Sequence, residues 1–214
     1  KELDRLKGYD EWLSEAKAKL SASEKVMKAL SEEVSGIRKT YAAVLEKQME
    51  ASLKDLNFLQ VRFEIKISPL GKYTKNGSDD VEFLVSTNPG EDVKPLGQVA
   101  SGGELSRIML GIKSVLAEID EIPTLIFDEI DTGISGRTAQ KVAEKMAYIG
   151  RSHQVLCITH LPQIAAMGDH HLRISKSVRD GRSYTDVSPM DRAHRVDEIA
   201  RLLSGEEISD AARR

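Results

Sequence analysis

Two adjacent carboxylates close the run Thr124-Leu-Ile-Phe-Asp-Glu129, at the end of what reads as a short apolar strand. Open α/β sheets bind ligands at the C-terminal ends of their strands. In phosphoryl-transfer enzymes an acid placed there orients Mg²⁺, and a neighbour positions or activates water. Asp128 is therefore the candidate on the Mg²⁺ side, acting through water, and Glu129 the candidate base for attack on a γ-phosphate. Taken alone, a solvated acidic strand end has the same appearance. A second apolar run, Val155-Leu-Cys-Ile-Thr-His160, ends in a histidine that can reach a terminal phosphate; a purely structural histidine is the competing reading. Third, Val99-Ala-Ser-Gly-Gly-Glu-Leu-Ser-Arg107 sets two glycines at a helix start. Ser101 can donate its hydroxyl to a phosphate oxygen there, while Gly102 and Gly103 leave their amides bare at the positive end of the helix dipole. The same stretch reads as a capping box, with Ser101 as N-cap and Glu104 at N3. Both uses draw on the same N–H groups and are compatible in an empty site.

These residues lack a nucleotide cradle of their own, because no G-x-x-x-x-G-K-[ST] loop occurs in the chain. Cys157 and His160 form a C-x-x-H pair, but one thiol and scattered histidines supply no second pair for zinc. His170-His171 reads as the flank of a strand.

The elements that must position the three pieces follow from periodicity. Leu105, Ile108, Met109, Ile112, Val115, Leu116 and Ile119 mark one face of a helix after the glycine pair. A buried strand at Thr124–Phe127 follows, then a helix carrying Ala139, Val142, Ala143 and Met146 and closed by Gly150. Val155–Ile158 is a second short apolar run. Pro162 suits the first turn of another helix. Leu172 and Ile174 begin a strand that returns through an Asp180-Gly181 turn to Tyr184 and Val187, and a last helix carries Val196, Ile199, Ala200, Leu202 and Leu203. Upstream, Val61, Phe63, Ile65 and Ile67 alternate with polar residues, as do Val81, Phe83 and Val85, predicting two strands separated by a polar loop, Ser68–Asp80.

Residues 1–56 differ in kind. Apolar side chains recur by sevens at Leu6, Leu13, Leu20, Met27, Val34 and Tyr41, with companions Tyr9, Ala16, Leu30, Ile37 and Val44, and with lapses at Ser23 and Gln48. This is an a/d seam needing a partner, in one helix or in two split at the capping box Ser21–Glu24. Starting at Lys1 within that pattern, the chain reads as a fragment.

The 214 residues are 40% hydrophobic and 30% charged, with a formal charge of −3. One core with a charged extension fits these figures, and no global basic field announces nucleic acid. The single cysteine excludes an intrachain disulfide. No apolar run spans a bilayer, so no membrane partner is expected. Lys72 and Lys75 are candidates for a DNA surface, with plain solvation as the competing reading.

The order of the pieces carries more than any one of them. A glycine pair opening a helix, an acidic strand end, Ile130-Asp-Thr-Gly-Ile-Ser135, a helix and a strand ending in histidine resemble the C-terminal lobe of an ABC-type ATPase head. The helical arm just before the lobe resembles the SMC-like branch rather than transporter subunits. Long collinear stretches between about Leu53 and Gly205 resemble its bacterial DNA repair members. The resemblance implies an α/β, P-loop NTPase-like fold with an antiparallel β entry, an arm over 1–56 and a lobe over 57–214. It implies that Val99–Arg107 is the signature motif, Thr124–Glu129 the Walker B strand, Asp131–Ser135 the D-loop and Cys157–His160 the H-loop. By this analogy Ser101, Gly102, Gly103 and Glu104, with Asp131 and Ser135, contact ATP, and Ser101–Gly103 meet the γ-phosphate held by a second head. Asp128 would hold Mg²⁺, and Glu129 and His160 would act on the nucleotide of their own head. Ser135 stands where many such heads end the D-loop in Asp. Implied partners are an N-terminal lobe of the same protein carrying the Walker A loop, a second identical head, and DNA, in the cytoplasm at the nucleoid. The implied function is ATP-driven repair and recombination at DNA double-strand breaks. The alternatives are another ABC-type ATPase subunit and a DNA tether only modulated by ATP.

Overall fold

With glycine only at Gly8 and Gly36 and no proline before Pro69, nothing interrupts the N-terminal helix α1 (Glu2–Asp55). It runs unbroken through Ser21–Glu24, and its 54 residues correspond to roughly 80 Å. This computed structural model describes residues 2–58, 60–99, 101–179 and 181–204. The side chain of Leu6, Ala100 of the glycine-pair motif, Asp180 of the expected Asp180-Gly181 turn and the end of the matched stretch at Gly205 lie outside the described residues.

α1 has two distinct faces. Ser31, Val34, Arg38, Leu45, Met49, Ser52 and Leu53, at helical spacing, turn toward the rest of the molecule, and Met49 and Leu53 sit in its core. The heptad seam lies mostly beside that face. Tyr9, Leu20, Met27, Leu30, Ile37, Tyr41 and Val44 are exposed, and Trp12 beside them is 60% exposed. The lobe therefore uses one stripe of the helix and leaves the other bare.

The chain next forms β1 (Arg62–Thr74), β2 (Gly77–Ser86) and the two-residue β3 (Lys94–Pro95), an antiparallel sheet in the order β1-β2-β3. Phe63 and Val85 pair across it and are buried. The expected loop Ser68–Asp80 is mostly strand: the hairpin extends to Thr74 and Gly77 and turns through Lys75-Asn76. Backbone pairing carries this polar, exposed end without apolar alternation, so its side chains gave no strand signal. The helix secures it. Arg38 donates to Asp79 Oδ2 at 3.0 Å and to the Asn76 carbonyl at 2.7 Å, and Glu46 Oε1 accepts from the Ile65 N–H at 2.7 Å.

Arg38, foremost, holds the Asp79 carboxyl below its ordinary range. A carboxylate with a lowered folded value stabilises the fold above its unfolded pKa of about 3.9 and loses that contribution as pH falls through the folded value. The urea midpoint is thus expected to drop more steeply below about pH 4 in the wild type than in Asp79→Asn. Parallel curves would contradict this clamp.

A 3₁₀ turn (Leu96–Gln98) leads to α2 (Gly102–Leu116), which crosses α1 closely. A methyl group at Gly111 would come within 2.9 Å of Leu53 Cδ2, and the Ser52 and Ser114 hydroxyls meet at 3.1 Å beside it. β4 (Thr124–Phe127), α3 (Gly136–Ile149) and β5 (Gln154–Cys157) follow, with β4 and β5 parallel and Phe127 opposite Cys157. α3 ends at Gly150, which keeps right-handed backbone angles, so the stop is not a left-handed cap. α4 (Pro162–Ala165) opens on Pro162 as its N1 residue. The antiparallel pair β6 (Leu172–Arg179) and β7 (Arg182–Pro189) and the helix α5 (Arg192–Ser204) complete the order.

The expectation of a buried strand at Thr124–Phe127 holds for one face only. Leu125 and Phe127 face the core, whereas Ile126 is 69% exposed and shares its face with the exposed Leu156 and Ile158. Parallel strands are ordinarily covered on both sides. Within the described residues one side of this pair is bare.

Candidate functional site

Parallel pairing of β4 with β5 brings two strand ends side by side. The Ile158 N–H donates to the Phe127 carbonyl at 3.0 Å, so Asp128-Glu129 emerge next to Ile158-Thr159-His160. The Asp128 carboxylate is exposed and accepts from the Glu129 N–H at 2.9 Å. The Asp128 carbonyl accepts from the Ser106 hydroxyl at 2.8 Å, which ties the strand end to α2. Glu129 adopts φ +56°, a left-handed conformation that a residue with a side chain adopts at a cost of about 1–3 kcal/mol. This kink turns its exposed side chain toward the start of α2.

That start is shaped by what surrounds it. Ser101 has extended backbone angles and caps α2, its Oγ accepting from the Glu104 N–H at 3.4 Å. Gly102 is exposed, and a methyl group there would overlap Glu129 Oε2. Gly103 is buried, and a methyl group there would lie 2.9 Å from Thr132 Cβ and 3.0 Å from the Glu129 carbonyl oxygen. The two glycines thus permit close approach of α2 to the segment after β4. Gly102 stays at the surface, whereas Gly103 serves packing within its own chain. Glu104 sits half-buried in the first turn, at the positive end of the helix.

The loop from Asp131 to Ser135 is anchored at its start and open at its end. Asp131 is 5% exposed and accepts from the Thr159 hydroxyl at 2.6 Å and the His160 N–H at 2.8 Å. Its Oδ2 also lies 3.0 Å from Nδ1 of His160, whose side chain is 73% exposed. Ser135 is exposed and precedes α3, with no side-chain hydrogen bond to the helix end. Asp128, Glu129, Asp131 and His160 therefore lie at the two adjacent strand ends, with Gly102 against Glu129 and Ser101 next to it as the cap of α2.

Arg107, Thr132 and Thr159 belong to this arrangement and escaped the reading of the sequence. Arg107 is buried, stacks over the Phe58 ring at 5.3 Å and donates to the Thr132 carbonyl at 2.8 Å; its Nε has no partner. Burial, foremost, pushes its pKa down, opposed by Glu104. The side chain links the segment just after α1 to the loop after β4. An arginine one helical turn past the glycines was the available signal, and an exposed role was the default for its type. Arg107→Met keeps the volume but removes the Thr132 donor. It is expected to cost about 1–3 kcal/mol and to speed amide exchange in residues 131–135. Unchanged exchange there would refute the strut.

The Cys157 thiol is pushed up to about 12, first by burial and then by Asp131 and Asp128. A thiol shifted in that direction stays protonated at neutral pH. Among the described residues no three His, Cys, Asp or Glu side chains group to hold a metal. One exposed carboxylate still fits Mg²⁺, which is held by one or two carboxylates with substrate phosphates and water. No described helix is long and apolar enough to cross a membrane.

No family model matches the chain. It is 42% identical over 228 residues to the DNA repair protein RecN of Bacillus subtilis, covering 100% of this chain and 40% of that protein. It is 39% identical to the DNA repair protein RecN of Vibrio cholerae, covering 91% of this chain and 38% of that one. The chain thus spans about 40% of the length of the curated relatives it matches. Among solved structures, an Smc head domain with a coiled coil and joint from Pyrococcus yayanosii superposes with a TM-score of 0.52 at 23% identity, covering 76% of this chain and 29% of that one. The chain accordingly has the α/β fold of part of an Smc-like head domain, carrying a helical arm.

Proposed function

We propose, from a chain homologous along its whole length to a segment of the DNA repair protein RecN, that it forms the signature-bearing half of an ATP-gated head in a repair and recombination ATPase acting at DNA double-strand breaks. The observation that carries this reading is the convergence of Asp128, Glu129 and His160 at the ends of β4 and β5, beside the exposed start of α2.

The division of labour follows from which groups face outward. Glu129 has an exposed carboxylate, accepts a proton from water and so prompts attack on the γ-phosphate of the nucleotide carried by its own head. His160 reaches the terminal phosphate by hydrogen bond. Asp128 would hold Mg²⁺ through water; bound with ATP, the ion supplies charge neutralisation at the phosphates. Ser101 keeps its hydroxyl proton free while its oxygen caps α2, so it can donate to a phosphate oxygen presented from outside. Gly102 leaves the helix end accessible there, and Glu104 in the same turn gives its N–H to Ser101 Oγ. Ser135, exposed at the end of its loop, faces the same contact.

A second, identical head supplies the nucleotide that meets Ser101 and Gly102. An N-terminal lobe of the same protein supplies the Walker A loop and covers the bare face of Ile126, Leu156 and Ile158. Residues 1–56 serve as the arm and residues 57–214 as the lobe, and the exposed seam of α1 takes a second helix of the arm. ATP then favours the closed pair of heads because it binds that state better, and loss of the γ-phosphate removes the link. Communication to DNA runs through the arm, in the cytoplasm at the nucleoid. The long bare seam favours this reading over a transporter-type subunit.

ATP hydrolysis separates the reading from its rivals. The full-length protein is expected to turn over ATP with Mg²⁺, and the 214-residue chain by itself to turn over none. Hydrolysis by the isolated chain, or DNA bridging by the full-length protein that is indifferent to ATP, would overturn it.

A further inference from the structure

Three donors converge on one oxygen of a buried side chain. Oδ2 of Asp131 meets the Thr159 hydroxyl at 2.6 Å, the His160 backbone N–H at 2.8 Å and the His160 ring at Nδ1, 3.0 Å away. The carboxylate is 5% exposed and the histidine side chain 73% exposed, so a ligand arriving from solvent meets the imidazole and not the acid. We infer that Asp131 is a positioning residue that fixes the ring of His160 with Nδ1–H inward and Nε2 toward the terminal phosphate. This deepens the proposed function and rests on it.

The chemistry follows from what each atom can do. An ionised carboxylate only accepts, so the ring nitrogen bonded to it carries a proton. The hydrogen bond made by one ring nitrogen sets the state of the other. A phosphate oxygen also only accepts, so contact at Nε2 requires a proton there as well. The proton at Nε2 comes from solvent. Thr159 completes the device: its oxygen accepts from the Leu161 N–H at 3.1 Å while its hydroxyl donates to Asp131, which holds the turn leading into α4. Asp131 thereby acts on the nucleotide through His160 rather than by touching it.

The test uses the full-length protein labelled with ¹⁵N at histidine, with His160→Gln to assign the ring signals. In the wild type at alkaline pH, Nδ1 of His160 is expected to give the signal of a protonated nitrogen. In Asp131→Asn an amide can present its N–H to Nδ1, and the pattern is expected to reverse. The same variant should lower kcat about ten-fold with the KM for ATP within about two-fold, and the double variant with His160→Gln should be no slower than the slower single variant. Thr159→Val, which removes a donor but leaves the carboxylate, should lower Tm and keep the wild-type ring signals. Unchanged signals in Asp131→Asn, or losses that multiply in the double variant, would overturn the positioning role. A normal rate in His160→Gln together with reversed signals in Asp131→Asn would instead sink the nucleotide role and leave the Asp131–His160 bond standing.

Discussion

Glu129→Gln in the full-length protein is expected to lower steady-state ATP hydrolysis about 100-fold or more, while ATP-induced association of heads survives. The amide has the shape of the carboxylate but cannot take a proton from water. Backbone strain at this position, φ +56°, is the same for either side chain, so the variant isolates chemistry from folding. The carboxylate also rests against Gly102, and an amide fills that place equally well. A normal rate would remove Glu129 from the role of base. Loss of association together with hydrolysis would show that the residue builds the contact instead.

The second large effect is expected at the start of α2. Ser101→Arg puts a long cation where a phosphate carried by another head must fit, so ATP-dependent pairing should weaken about 100-fold or more, well beyond the capping term of about 1 kcal/mol. Nucleotide binding to the subunit's own head should persist, because Asp128, Glu129 and His160 stay in place just past the ends of β4 and β5. Ser101→Thr, which retains both the cap and the hydroxyl, serves as the control and should pair normally. Pairing by Ser101→Arg at the wild-type affinity would place the contact elsewhere.

The strength of the sequence lay in order and period. Alternation at Val61–Ile67 gave β1, the apolar face from Leu105 gave α2, although Ile119, expected on that face, lies beyond the helix end at Leu116 and is exposed, and two short runs ending in acid and histidine gave β4 and β5. Strand ends were legible because a parallel pair must align them. What escaped was set by contacts distant in sequence. The exposed half of the β1–β2 hairpin pairs through its backbone and is held by Arg38, 41 residues from Asp79, so no local pattern marked it. The packing face of α1 was hidden by the stronger heptad seam beside it. Gly103 read as a bare amide, yet its missing side chain makes room for Thr132. Asp131 read as a nucleotide contact, yet it is buried beneath Thr159 and His160, a position that only the pairing of β4 with β5 creates.

ATP-gated pairing turns on one distance across a contact between two heads. In a crystal structure of the Glu129→Gln full-length protein with ATP and Mg²⁺, Ser101 Oγ is predicted to lie about 3 Å from a γ-phosphate oxygen of the nucleotide bound to the other subunit, with Gly102 beside it. A γ-phosphate that meets no residue of another subunit, with Ser101 left facing solvent or its own chain, would contradict it.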